Sequence, residues 1–130
     1  VGTVWQEFEI LPVLKQTMTT LLGHEPPPNP VNPLSLADPV PLDAALEGAG
    51  FEFAKGHRET FDINLSFGPS TEDSSFKAIL IPVLAKLSEM QNESADGDDV
   101  IGKAVAIVKQ VAAKRIDNEG NVSLSGVYRN

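Results

Sequence analysis

The cluster of proline between Pro26 and Pro41 is the feature that most limits how this chain can fold. Seven of the ten prolines lie there, and proline neither donates to a sheet ladder nor continues a helix. Residues 24–37 are therefore predicted to form an extended surface connection between two structured parts. The run from Pro26 to Pro30 could also be a polyproline II ligand for a partner, but a rigid connection explains it without one.

The part before the prolines is predicted to be a strand followed by a helix. Residues 1–5 are rich in β-branched and aromatic side chains, which favours a strand. Residues 7–22 place apolar side chains three and four positions apart, which is typical of a helix with one buried face. Gly23 is suited to end that helix in a left-handed conformation.

The first elements after the prolines are predicted to be a short helix and two strands. Asp38 precedes a proline and is placed to cap a helix of about ten residues that ends near Gly50. Residues 51–55 are a strand candidate. Residues 61–67 alternate apolar and polar side chains, so this second strand should bury one face and expose the other.

The last third of the chain is predicted to contain two helices and a final strand. Residues 70–90 have helical spacing with Ser70 and Asp73 as a capping pair, and Pro82 should bend this helix. Asp99 is placed to cap a second helix that ends near residue 115. Residues 122–127 suggest the final strand, after a turn that contains a glycine.

Composition excludes several classes of function. The chain has 130 residues, 18 acidic and 10 basic side chains and a formal charge of −8, which is the wrong sign for binding a phosphate backbone. It has no cysteine, so disulfides and thiolate sites are impossible and a reducing intracellular, cytoplasmic location is expected. No apolar run reaches the roughly 18 residues of a membrane span. The length predicts one domain over residues 1–130.

Sites for metal, nucleophilic or phosphate chemistry are not evident in the sequence. His24 and His57 lie far apart with no carboxylates at ligand spacing, and neither Ser35 nor Ser66 has a paired base near it in sequence. The acidic residues 96–99 do not match a calcium-binding loop. Neither glycine-rich phosphate motif occurs. We therefore expect no catalytic residue, no metal ligand and no cofactor-binding residue in this chain.

Three local patterns resemble parts of one enzyme family. Val1-Gly-Thr-Val-Trp5 is similar to the end of a fifth strand that precedes a cap helix, and residues 42–51, LDAALEGAGF, resemble a helix that leads into a sixth strand. Residues 117–128 are similar to the turn that enters a seventh strand. In this order the patterns resemble the C-terminal half of class I S-adenosylmethionine-dependent methyltransferases of the ubiquinone and menaquinone biosynthesis type.

This resemblance implies an architecture. The family sheet has the strand order 3-2-1-4-5-7-6 with an antiparallel seventh strand, so the chain would hold a partial Rossmann-like α/β sheet of strands 5-7-6, which is α+β as an isolated fragment. Residues 1–37 would supply the strand end, the cap helix and the proline-rich loop, and residues 38–130 the last α/β elements. An exposed edge on the fifth strand would favour a homo-oligomer.

The resemblance also implies a division of function. Strands one to four, the glycine-rich loop and the acidic ribose-binding residue have no counterpart here, so S-adenosylmethionine is expected in the parent enzyme but not in this chain, which would be inactive alone. The small-molecule acceptor would be contacted by Trp5, Glu7 and Phe8. Two alternatives stay open: a noncatalytic protein-interaction module, and a small α+β protein that binds an apolar ligand.

Overall fold

The described part of the chain is α+β and contains five α-helices and one small antiparallel sheet. A computed structural model describes residues 4–28, 32–52 and 59–129. The elements are, in chain order, β1 Val4–Phe8, α1 Ile10–Leu22, α2 Pro39–Gly48, β2 Thr60–Pro69, α3 Asp73–Ile79, a 3-10 turn Ile81–Val83, α4 Leu84–Glu93, α5 Val100–Val111 and β3 Asn121–Arg129. The α+β class expected of an isolated fragment is confirmed.

The three strands have the order β1-β3-β2, so the last strand of the chain lies in the middle of the sheet. β1 pairs antiparallel with β3, and the register is interrupted between Trp5 and Glu7. The interruption leaves Gln6 without a paired residue on β3, as in a β-bulge. β1 and β2 are the two outer strands.

The chain divides into two compact units. The helical unit comprises Glu9–Pro27 and Leu65–Leu124, and the strand unit comprises the described residues within Val1–Phe8, Pro28–Asn64 and Ser125–Asn130. β2 and β3 contribute residues to both units. The prediction of one domain over residues 1–130 stays a prediction.

The helical unit is built around α5, which packs against α1, α3 and α4. Its core consists of apolar side chains that α1, α3 to α5 and the adjoining strand residues bury at regular spacing. These are Ile10, Val13, Leu14, Met18, Phe76, Ile79, Leu80, Leu87, Val100, Ala104, Val105, Val108, Ala112, Val122 and Leu124. Burial of one Leu or Ile side chain contributes about 1.5–3 kcal/mol, so this core dominates the stability of the unit.

Three helix ends were predicted correctly because their signals are local. Gly23 has φ 76° and its N–H donates to the Thr19 carbonyl. The Asp38 carboxylate accepts from the Val40 N–H at 3.0 Å. The Asp99 carboxylate accepts from the Gly102 N–H at 2.9 Å.

The single bent helix expected over residues 70–90 is wrong. Pro82 lacks the N–H that would continue the helix, and the chain instead forms α3, a 3-10 turn and α4. Two bonds of the 3-10 type mark the break, from Leu80 N–H to Lys77 O and from Val83 N–H to Leu80 O. The expected cap is also wrong, because the residue before α3 is Glu72 and its side chain makes no cap bond.

The predicted strands differ from the structure mainly at their ends. β1 continues to Phe8, so α1 begins at Ile10 and not at residue 7. β2 covers the alternating residues 61–67, but none of its residues is fully buried and Phe61 is 45% exposed. Of the strand expected over residues 51–55, residues 51 and 52 are not in a strand and residues 53–55 lie outside the described residues. No helix in the described ranges is long and apolar enough to cross a membrane.

Candidate functional site: an aromatic cluster on the first and last strands

The bulge in β1 places two aromatic side chains on one face of the β1–β3 pair. Trp5 is paired with Tyr128 and Phe8 with Gly126. Residues 126 and 128 share a face because successive side chains of a strand alternate. Without the extra residue at Gln6, Trp5 and Phe8 would lie on opposite faces, since they are three positions apart.

Trp5 is at the centre of this aromatic cluster, which we define as Trp5, Phe8 and Tyr128. The Trp5 and Phe8 ring centroids lie 4.2 Å apart with an interplanar angle of 5°, and those of Trp5 and Tyr128 lie 3.7 Å apart at 29°. All three residues are half-buried. Each stacked pair is worth about 0.5–1.5 kcal/mol beyond its burial, so the rings hold one another in place. A ligand would meet them as one preformed apolar surface.

Gly126 makes room for the Trp5 ring. A Cβ at residue 126 would lie within 2.4 Å of Trp5 Cζ3 and 3.2 Å of Trp5 Cη2. Real Cβ contacts are essentially never shorter than 3.0 Å, so the indole could not keep this position over an alanine. The absence of a side chain at this point of β3 is thus a condition for the cluster.

The opposite face of the same strand pair carries two charged side chains and two valines. Glu7 is paired with Val127, and Val4 with Arg129, so alternation puts Glu7 and Arg129 on the face away from the aromatic cluster. Glu7 is exposed, whereas Arg129 is only 7% exposed. The Arg129 guanidinium donates to the Ala37 carbonyl at 2.5 Å and to the Leu36 carbonyl at 2.8 Å.

The three residues predicted from the sequence are therefore divided between two faces. The structure brings Trp5 and Phe8 into contact and places Glu7 behind them. Sequence reasoning missed Tyr128 and Gly126, which complete the cluster. No local signal could have revealed them, since they lie more than a hundred positions away from Trp5 and join it only through the register of β1 on β3.

The two histidines and the acidic loop before α5 lie outside the aromatic cluster. His24 is exposed and its Nδ1 contacts the Glu25 carbonyl oxygen at 3.1 Å, while His57 lies outside the described residues. In the acidic loop, Asp98 pairs with Lys103 at 3.4 Å, and the Asp99 carboxylate is occupied as a helix cap. Within the described ranges, no group of three His, Asp or Glu side chains is placed to hold a metal ion.

The two described strand-to-helix junctions, between β1 and α1 and between β2 and α3, are not glycine-rich. A nucleoside cofactor requires a glycine-rich turn at which main chain can approach it closely. The β1–α1 junction at Glu9 contains no glycine. At the β2–α3 junction Gly68 has φ 119°. A Cβ built on Gly68 would lie 2.7 Å from Ser75 Oγ, so the Ser75 side chain occupies the space that a glycine leaves there.

A scan against models of known protein families finds no match to this chain, and a search of curated proteins finds no significant match.

Proposed function

We propose that these residues form the last part of a class I S-adenosylmethionine-dependent methyltransferase domain that acts on a small molecule. In this proposal the cofactor is bound by sequence other than these 130 residues, and the chain by itself is inactive. The aromatic cluster belongs to the acceptor side of the enzyme.

The observation that carries the proposal is the strand order β1-β3-β2. A sheet formed by three strands in chain order would more simply have the order β1-β2-β3, because sequential strands are usually neighbours. Here the last strand lies between the first two and runs antiparallel to β1. The end of the family sheet, 5-7-6 with an antiparallel seventh strand, has the same pattern if β1, β2 and β3 correspond to the fifth, sixth and seventh strands. The sixth strand then begins at Thr60 and not at Phe51, where the resemblance places its entry.

The contribution of this chain would be to position and desolvate the acceptor. Phe8 is the last residue of β1 and stacks on Trp5, and open α/β sheets bind ligands at the carboxyl ends of their strands. Aromatic rings held by stacking lose little conformational entropy when a ligand binds. No proton transfer is assigned to Glu7, which lies on the other face.

The decisive experiment examines the coding sequence upstream of this segment and the protein that it encodes. We expect a strand, a glycine-rich turn and a helix upstream, and transfer of labelled methyl from S-adenosylmethionine to a small molecule by the protein that carries both parts. Calorimetry with S-adenosylmethionine and this chain alone should show no binding. Binding of the cofactor within one copy of the chain, or an upstream sequence without these elements, contradicts the proposal.

Substitutions in the longer protein test which face meets the acceptor. Trp5→Ala and Phe8→Ala should raise KM for the acceptor about tenfold or more, since each removes about 1.5 kcal/mol or more of apolar contact. Glu7→Gln is the matched control on the opposite face and should leave KM within about twofold. Equal effects of all three variants would place the acceptor elsewhere.

We also propose that the chain by itself associates with a second copy through β1. β1 is an outer strand of the sheet, and an outer strand presents unpaired backbone groups that favour strand addition. Light scattering over a concentration series should show a dimer. A strict monomer at the highest soluble concentration would contradict this pairing.

One observation favours a noncatalytic interaction module as the second candidate. Within the strand unit, Val40 is 68% and Phe51 65% exposed, and large exposed apolar side chains are common where proteins bind partners. If the upstream sequence lacks the cofactor elements, this module becomes the better interpretation.

A further inference from the structure

Residues 32–51 of the strand unit, which we name the α2 segment, bury very little apolar surface. α2 has no buried residue, although its apolar side chains repeat at helical spacing. Val40 and Phe51 are mostly exposed and Leu36 is 36% exposed. α5 buries four of its residues, so packing stabilises α5 more than it stabilises α2. An isolated helix of ten residues is only marginally stable in water.

The backbone bonds of the α2 segment are mostly internal. Ser35 N–H donates to Asn32 O, Ala37 N–H to Leu34 O and Phe51 N–H to Leu46 O. These bonds, together with the Asp38 cap, join residues of the same segment. They therefore do not attach the segment to the rest of the strand unit.

Arg129 provides a long-range attachment of a different kind. Its two terminal nitrogens donate to the consecutive carbonyls of Ala37 and Leu36, across 92 and 93 positions of the chain. The two carbonyls immediately precede the Asp38 cap of α2. Hydrogen bonds from a charged donor are stronger than neutral ones, and Arg129 is almost fully buried, which weakens the competition from water.

We infer that the α2 segment opens locally, as a part that we call the lid, and that the two Arg129 hydrogen bonds, which we call its latch, hold it closed. When the guanidinium leaves the two carbonyls, the segment opens by local unfolding while the helical unit stays folded. Segments with few buried apolar contacts open at a lower free energy than the core, and gating elements are drawn from such segments. This inference is independent of the methyltransferase proposal, because it requires no cofactor or acceptor.

Hydrogen–deuterium exchange of the full chain tests the latch. Arg129→Met removes the donors but keeps the aliphatic stem, and peptides covering residues 38–51 should exchange at least about tenfold faster, from the loss of charge-assisted bonds. Peptides from α5 should change by less than about twofold. Arg129→Lys keeps the charge without the planar fork and should be intermediate. Lys114→Met, which removes an exposed cation of the helical unit, is the matched control and should leave the α2 segment unchanged.

The proposed role of Arg129 is wrong if Arg129→Met leaves exchange in residues 38–51 unchanged. It is also wrong if the substitution accelerates exchange in α5 by the same factor. If that variant does not fold, the lid can be tested on the unmodified chain instead, by measuring exchange at a series of urea concentrations below those that unfold the protein. If α2 is a lid, its amides should exchange through a local opening whose free energy depends only weakly on urea. That free energy should be lower than the free energy of the global opening through which α5 exchanges. Equal opening free energies for α2 and α5 without urea would refute the lid.

Discussion

Gly126→Ala should disrupt the aromatic cluster although it adds only one methyl group. The new Cβ would lie 2.4 Å from Trp5 Cζ3 and 3.3 Å from the Glu7 carbonyl oxygen, so the indole must leave its place over β3. It would then lose two stacked neighbours, Phe8 and Tyr128. At about 0.5–1.5 kcal/mol for each pair, the free energy of unfolding should fall by about 1–3 kcal/mol.

Urea unfolding measures this loss, and the chain contains a single tryptophan, so its fluorescence reports on the cluster directly. Far-ultraviolet circular dichroism follows the helices in parallel. Gly48→Ala is the matched control in the same unit, since a Cβ there meets nothing within 4 Å. Because glycine is a poor helix former, the control should be neutral or stabilising by up to about 1 kcal/mol.

A double-mutant cycle tests whether Gly126→Ala lowers the free energy of unfolding because it displaces the Trp5 ring. In a Trp5→Ala background, Gly126→Ala should cost less than about 0.5 kcal/mol, because the ring that it displaces is already absent. The same cost in both backgrounds would refute the proposed packing of the indole over Gly126. Circular dichroism replaces fluorescence as the probe in this background.

Three further outcomes follow from polar contacts of the helical unit. Asp99→Ala should lower the unfolding free energy by about 1 kcal/mol through loss of the α5 cap, measured by urea unfolding. Arg115→Met should lower it by up to about 1 kcal/mol, because Arg115 Nε lies 2.7 Å from the Glu9 carboxylate while the Arg115 side chain is 55% exposed to water; thermal unfolding measures this. The hydrogen bond and charge of Lys15 lower the pKa of Glu25 below its ordinary value of 4.5, so their stabilising contribution is present above about pH 4.5 and is lost as the pH falls through the depressed pKa. Lys15→Ala should raise that pKa toward 4.5, as measured by NMR titration of the carboxyl.

Controls separate these effects from general charge changes. Asp96→Ala removes an exposed carboxylate of the loop before α5 and should change stability by less than about 0.5 kcal/mol. Lys114→Met removes a cation next to Arg115 and should behave likewise. An unchanged Glu25 pKa in Lys15→Ala, or equal losses for Asp96→Ala and Asp99→Ala, would contradict the assigned contacts.

Local chemistry was sufficient to predict the ends of several elements. Asp38 and Asp99 cap the helices that follow them, and Gly23 ends α1 in a left-handed conformation, because each signal acts within a few residues. The alternation in residues 61–67 likewise predicted β2. Pro82 within a helical pattern predicts a bend, whereas the missing N–H and the crowded ring produce a complete break.

The sequence by itself determined an acidic chain with capped helices, one alternating strand and a proline-rich connection, because these properties depend on composition and on neighbours along the chain. Only the tertiary structure decided that Trp5 and Phe8 share a face, that Glu7 does not, and that Tyr128 and Gly126 complete the cluster. The physical reason is the register of β1 on β3. One bulged residue moves the side chains that follow it to the other face of the strand pair. Because the paired residues lie more than a hundred positions apart, no local sequence pattern predicts this register.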